Sequence, residues 1–369
     1  MLTSDAMHLT SANKFPYRVG LGKPGSLLAV ALCMLAGLLV ACTSPGPATL
    51  VDPVEEFQMP QPASRAYAYV VVSVADIEQA IGMWVHRFGM RIVTRRTGND
   101  PGLARFWGLQ DDDIIDQALL LTPGATEGGV HLVQFKLPGP AVRADAAATD
   151  LVPKSIDVVV RDLASRYQEL TTAGFTFRSE PHRLEANGIV FHETHMPSHD
   201  GLNVVLLEIE GQPALTSPEG YGVAPQIVAT TPDNIAEKVF FESVLNLVEA
   251  SYNRFSGPEI EKTVGLPSGA SLDIRILGDP TSPYGRLELV QYEGAKSQNL
   301  YPRTAPPARG MLSVTYFVPD LAPILARGAA YGIRDAGQVT TIFGTGHMAQ
   351  VRSPAGLRID LLERPANGG

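Results

Sequence analysis

The sequence is nearly devoid of cysteine. Of 369 residues only Cys33 and Cys42 carry a thiol, so the chain beyond residue 42 has no internal disulfide and must be stabilised by packing. It is also poor in charge. Charged residues make up 18% of the chain, and 38 acidic against 29 basic residues leave a net charge of −9. An acidic surface repels a phosphate backbone, which argues against nucleic acid as the partner. The apolar run at residues 26–41 spans 16 residues, short of the roughly 20 that a membrane-crossing helix needs. No glycine-rich phosphate loop and no nucleophile elbow is present, so nucleotide-phosphate chemistry and serine-hydrolase chemistry have no foothold. What is present in quantity is apolar residues, 45% over a length that suits two ordinary globular domains.

The N-terminal segment has the order of parts of a secretory signal. Lys14, Arg18 and Lys23 precede the apolar run Ser26–Ala41, which ends in Leu39-Val40-Ala41-Cys42. That ending resembles the lipobox of bacterial lipoproteins, and the resemblance implies cleavage before Cys42 and lipidation of its sulfur. Residues 1–41 are then the signal peptide. They carry three basic residues and one acidic residue, so removing them takes the net charge from −9 to −11. Thr43 stands where enterobacterial lipoproteins retained in the inner membrane carry Asp, so the expected location is the periplasmic side of the outer membrane. Residues 42–65 contain Pro45, Pro47, Pro53, Pro60 and Pro62 and read as an extended tether.

The remainder repeats. GVHLVQF at 129–135 answers GRLELVQY at 285–292, with His131 against Glu288, an offset of 157. Trp107-Gly108-Leu109 matches Val264-Gly265-Leu266 at the same offset. The segment from Val158 to Ala164 matches that from Tyr316 to Ala322, and DGLNVVLLE at 200–208 matches AGLRIDLLE at 355–363. Two tandem halves of two modules each follow, with domains expected at 66–210 and 222–364 and a linker at 211–221. The first module opens with a β-branched run at Tyr69–Val74. A helical stripe comes next, of Ile77, Ala80, Ile81, Trp84, Val85 and Phe88, with Asp76 as N-cap, and then three further strand-like runs. The third module reads alike, with a strand at Gln226–Thr230 and a helix whose stripe uses Ile235, Val239, Phe240, Val244 and Leu247.

A β-α-β-β-β unit of this kind, with VFFESVLNL at 239–247, resembles the vicinal oxygen chelate superfamily of glyoxalase I, extradiol dioxygenases and bleomycin-resistance proteins. The resemblance covers residues 66 to 364. It implies an α+β fold in which four modules pair into two open, cup-shaped barrels, and it implies a small oxygen-chelating ligand. In metal-using members the ligands come from first and last strands. The first-strand positions fall here on Tyr69, Ser155, Gln226 and Ser313, and the last-strand positions on His131, Val205, Glu288 and Asp360.

Alternation places Glu288 and Asp360 opposite their flanking leucines, on the inner face of their strands. Gln226, Glu288 and Asp360 are therefore the expected ligands of one divalent metal ion in the second domain, with Glu288 and Asp360 as proton-moving groups. The activity implied is of the glyoxalase lyase or isomerase kind. An extradiol dioxygenase would need two histidines and a carboxylate, and neither half supplies two histidines at the aligned positions. His131, His192 and His347 are the expected substrate contacts, whereas the segment FHETHMPSH lacks helical zinc-site spacing because His192 and His195 would face opposite sides of a strand. Ser313 and Val205 at ligand positions keep a second function open, a metal-free lipoprotein that binds or sequesters a small molecule.

Overall fold

The computed structural model describes residues 65–364 apart from positions 187, 213, 214, 223, 225, 280 and 283. Cys42 and the rest of residues 1–64, on which the expected signal peptide and nearly all of the expected tether fall, lie outside the described residues. Four modules follow one another. The first contains β1 (Tyr69–Val74), α1 (Ile77–Trp84), β2 (Arg91–Thr97), α2 (Pro101–Phe106), β3 (Ile114–Leu121) and β4 (Gly129–Phe135). The second contains β5 (Pro153–Val159), α3 (Leu163–Thr172), β6 (His182–Ala186), β7 (Ile189–Pro197) and β8 (Asn203–Ile209). The third contains β9 (Gln226–Thr230), α4 (Asn234–Leu245), β10 (Val248–Ser256), α5 (Pro258–Val264), β11 (Ser271–Gly278) and β12 (Arg286–Glu293). The fourth contains β13 (Gly310–Val318), α6 (Ala322–Gly328), β14 (Arg334–Thr341), β15 (Gly344–Arg352) and β16 (Arg358–Glu363).

Local chemistry explains where the main helices start. Asp76 accepts from the backbone of Glu78 and Gln79, and Asp233 does the same for Ile235 and Ala236, capping α1 and α4. A second acceptor comes from the last strand of each module. Gln134, Glu208, Gln291 and Glu363 take the first backbone N–H of α1, α3, α4 and α6, or that of the residue just before it, at 2.8–3.0 Å. Each helix is thereby pinned to its own sheet, and the glutamates closing the VVLLE and IDLLE repeats have a structural duty.

The strands form two eight-stranded sheets, ordered β14-β15-β16-β13-β1-β4-β3-β2 and β10-β11-β12-β9-β5-β8-β7-β6. The first module therefore pairs with the fourth and the second with the third. This corrects the expected division, in which 66–210 and 222–364 would each have formed one cup. The antiparallel joints β1–β13 and β5–β9 join modules across the middle of the chain, so the described residues form one compact unit. We call the sheet of modules one and four the terminal cup, and that of modules two and three the central cup.

One large core lies between the convex faces of both sheets. It takes Trp84 and Phe88 from the first module, Leu163 and Leu170 from α3, Phe240, Phe241 and Val244 from α4, and Ile324 from α6. The stripe expected on α4 shifts accordingly. Phe241 is buried, whereas Ile235 and Val239 are about half exposed. A separate apolar cluster sits inside each cup.

Candidate functional site

All eight positions read as first-strand or last-strand ligand sites point into a cup, as alternation along each strand requires. The cups divide them into two unlike groups.

The terminal cup holds Tyr69, His131, Ser313 and Asp360, and its own side chains fill it. The Tyr69 ring stacks on Phe343 at 4.7 Å, and His131 lies edge-on to both, at 5.3 and 5.0 Å. His131 Nε2 meets Gln117 Oε1 at 2.9 Å, and Gln117 Nε2 donates to Asp100 at 2.8 Å. Asp100 also caps α2 and receives the Ile342 backbone N–H. Burial pushes His131 down to about 3, so its ring is neutral. Asp360 accepts from Gln350 at 2.7 Å, Ser313 at 3.0 Å and the Trp107 indole at 3.2 Å, with the Arg358 guanidinium 3.7 Å away. Helix α2 closes this cup by lying against β14. A Cβ on Gly102 would stand 1.9 Å from the Thr340 carbonyl oxygen, so only glycine permits the approach.

Asp360 is thus in a different cup from Gln226 and Glu288, and the three do not converge as one metal-ligand set. Its three hydrogen bonds make it a structural acid. His131 belongs to a packed network rather than to a ligand-binding wall. His192 and His347 lie on strand faces turned away from the cups, each against a carboxylate: Glu210 at 2.7 Å and Asp335 at 2.6 Å. They are not substrate contacts in this arrangement. His195, three residues after His192, does face the central cup, as strand alternation requires.

The central cup encloses a cavity of about 290 Å3. Its walls are apolar, with Leu184, Phe191, Val228, Leu272 and Ile274 from the strands and Ile260 and Val264 from α5. Its polar groups gather on the strands near the middle of the sheet. Gln226 Nε2 donates to Glu288 and, at 3.0 Å, to Asp157 Oδ2. Ser155 Oγ lies 3.3 Å from the other Asp157 oxygen. Lys154 Nζ donates to the Tyr292 hydroxyl and lies 4.6 Å from that ring's centre. His195 Nε2 stands 3.5 Å from Glu193.

Burial shifts Asp157, Glu288, Lys154 and His195 toward their neutral forms. Asp157 is pushed up to about 7, the Gln226 hydrogen bond opposing the shift. Glu288 is pushed well above the usual carboxylate range by burial and by the charges of Asp157 and Glu193. Lys154 is brought down to about 7 by burial, with Arg143 and Arg178 acting in the same direction. Burial also lowers His195. Two carboxyls sharing one amide donor, beside an amine that loses its proton near neutrality, form a set suited to proton exchange.

Lys154, Asp157, Glu193 and Tyr292 were not among the residues expected from sequence. A signal existed in the strand PKSIDVV, which places a lysine and an aspartate in a run that is buried throughout. The inward aim of Lys154 has a backbone cause. On β5, Pro153 pairs with Ala229 and Ser155 with the adjacent Val228, so Lys154 is the extra residue of a β-bulge. The bulge lets Lys154 and Ser155 both line the cavity, which regular alternation forbids.

The donor set does not fit a resident divalent cation. Of the four ligand positions in this cup, Gln226 and Glu288 offer oxygens, Ser155 a neutral hydroxyl and Val205 nothing. Gln226 spends its amide nitrogen on the two neighbouring acids, and the Lys154 amine lines the same cavity. Among the described residues no three His, Cys, Asp or Glu side chains come together as a metal-holding group.

Comparison with solved structures finds glyoxalase I from Zea mays, with a TM-score of 0.54 and 16% identity over 81% of this chain and 92% of that one. The two share a fold. A candidate dioxygenase from Bacillus subtilis has a TM-score of 0.52 and 13% identity over 82% of this chain and 86% of its own. No protein-family model and no curated protein matches the sequence. At these identities the likeness carries the glyoxalase fold and nothing about chemistry, which rests on the cup itself.

Proposed function

We propose that the protein is a glyoxalase-fold binder of a small, largely apolar molecule. The central cup holds the ligand's body against Phe191, Leu272 and Ile274 and its polar end against Asp157, Glu288 and Lys154, without a resident metal. The observation that carries this reading is the contrast between the cups: one is filled by Trp107, Phe343 and His131, and the other keeps a cavity of about 290 Å3, at the small end of small-molecule sites. Val205 and Ser155 at two of four ligand positions favour the metal-free alternative over the lyase or isomerase built on a bound cation. The lipobox favours attachment through Cys42, and Thr43 favours the periplasmic side of the outer membrane.

The test pairs elemental analysis with ligand screening. The protein, purified without chelator, is expected to contain no stoichiometric divalent metal, and apolar alcohols, amines and carbonyl compounds are expected to raise its melting temperature equally with and without EDTA. Val205→Trp, which fills the cavity, should abolish the shift. One metal per chain, lost in Glu288→Ala together with ligand binding, would replace this reading by the metal-dependent one.

A further inference from the structure

We propose that Lys154 is a nucleophilic amine that forms a reversible imine with a small aldehyde or ketone held in the central cup. The inference rests on the reading of that cup as a ligand site and names the class of ligand.

The internal repeat carries it furthest. At the offset of 158 that relates Val158 to Tyr316, Lys154 corresponds to Leu312. The correspondence is structural as well as sequential. On β13 Ser313 pairs with Val71 and Met311 with Val72, so Leu312 is the extra residue of an equivalent bulge. Leu312 is buried in the apolar cluster of the terminal cup. One backbone device therefore aims a side chain inward in both cups, and the filled cup uses leucine where the open cup uses lysine. Packing alone accounts for the leucine. An ammonium in that position is costly to desolvate, and a lysine kept there is better explained by what its amine does.

The surroundings suit attack by a neutral amine. Lys154 is 4% exposed, and its Nζ is hydrogen-bonded to a phenol, Tyr292, rather than paired with a carboxylate among the described residues. From β12 it faces Tyr292 and Glu288, and from β7 it faces Glu193 and His195. Arg143 and Arg178, from the segments between β4 and β5 and before β6, disfavour its protonated form. Asp157, further along β5, interacts with it across the same floor.

In the reaction the amine lone pair attacks the carbonyl carbon, a C–N bond forms and the C=O π bond opens. The oxygen takes a proton from the protonated member of the Asp157–Glu288 pair. The carbinolamine nitrogen then returns a proton to that carboxylate, which passes it to the hydroxyl, so that water departs as the nitrogen lone pair forms the C=N bond. The resulting iminium gives its last N–H proton back to the same carboxylate, leaving the neutral imine and the carboxyl as it began. Nothing is oxidised or reduced, and hydrolysis reverses the sequence.

Reductive trapping tests this. The purified protein is incubated at pH 7 with hexanal and cyanoborohydride, which delivers hydride to an imine, and the modified lysines are identified by peptide mass spectrometry. Lys136, Lys238, Lys262 and Lys296 are internal controls. Lys154 is expected to be alkylated at least ten-fold faster than any of them, with hexan-1-ol, which cannot form an imine, slowing it. Lys154→Met should lose that modification alone. If Lys154 is spared while hexan-1-ol still raises the melting temperature of the wild type but not of Val205→Trp, the imine inference fails and ligand binding stands. If Lys154 is spared and hexan-1-ol has no effect, both fail. Modification of Lys154 that hexan-1-ol and Val205→Trp leave unchanged would place the reaction outside the cup and overturn the inference too.

Discussion

Asp360 and Glu288 hold equivalent places on the last strands of their cups, and their partners give them different work. Asp360 is hydrogen-bonded by Gln350, Ser313 and Trp107 with Arg358 beside it, so Asp360→Ala leaves a buried guanidinium without its carboxylate. A loss of about 3–5 kcal/mol in urea denaturation is expected. Glu288 is hydrogen-bonded by Gln226 alone among the described residues, faces the cavity and resists ionisation, so Glu288→Gln should change stability by less than about 1 kcal/mol at about pH 4, where the carboxyl is neutral folded and largely neutral unfolded. Asp157 gives a pH signature. Its pKa is raised above the unfolded value, so the native state holds the proton more tightly and loses relative stability as pH rises from about 4 through about 7. Asp157→Asn should therefore stabilise the protein by about 1–2 kcal/mol at pH 8 and hardly at all at pH 4. Lys154 works in the opposite sense. Its lowered pKa penalises the native state below about pH 7, and the penalty fades as pH rises toward 10.5, so Lys154→Met should stabilise at pH 6 and lose that advantage in alkali. Melting temperatures across pH for both variants check the two signs. The inward aim of Glu288 and Asp360 was readable from alternation with leucines. That of Lys154 was not, because a bulge changes the parity of a strand without any marker in the sequence.

At the scale of elements, the inserted helices decide which cup stays open. Modules one and three carry a short helix between their second and third strands, and the tryptophan-glycine and valine-glycine pairs that match in the repeat fall just beyond α2 and at the end of α5. Helix α2 seats directly on β14 through Gly102, and Trp107 follows it into the terminal cup. Helix α5 instead contributes Ile260 and Val264 to a wall that leaves space. The equivalence of these segments was visible in sequence, but their opposite effects depend on the strands they meet. A second joint links the cups. Glu237 on α4, buried and pushed up to about 7 by burial, accepts the Ala355 backbone N–H from the turn between β15 and β16. Glu237→Ala should cost about 1–3 kcal/mol, measured by denaturation below pH 7, and Glu237→Gln should cost less.

For the whole molecule, the pairing of module one with four and two with three makes the halves inseparable. Residues 66–210 and 222–364, expressed apart, each hold half of both sheets and expose the strand edges of the β1–β13 and β5–β9 joints. Each alone is expected to lack the cooperative unfolding of the intact protein by circular dichroism, and mixing the two should restore it. Attachment is tested separately: Cys42→Ser should move the protein from the membrane fraction to the soluble one, and a variant that stays with the membrane would refute the lipobox reading.

Four modules, their β-α-β-β-β order, the N-cap at Asp76 and the inward aim of Glu288 and Asp360 all follow from the sequence, because periodicity, capping and alternation act over a few residues and repeat at a fixed offset. Only the tertiary structure decided which modules share a cup. That choice separated Asp360 from Gln226 and Glu288, turned His131 into core, and gathered Lys154, Asp157 and Glu288 around one cavity. Any two modules present complementary edges, so their pairing depends on how four modules bury one common core, a property of the whole chain rather than of any segment.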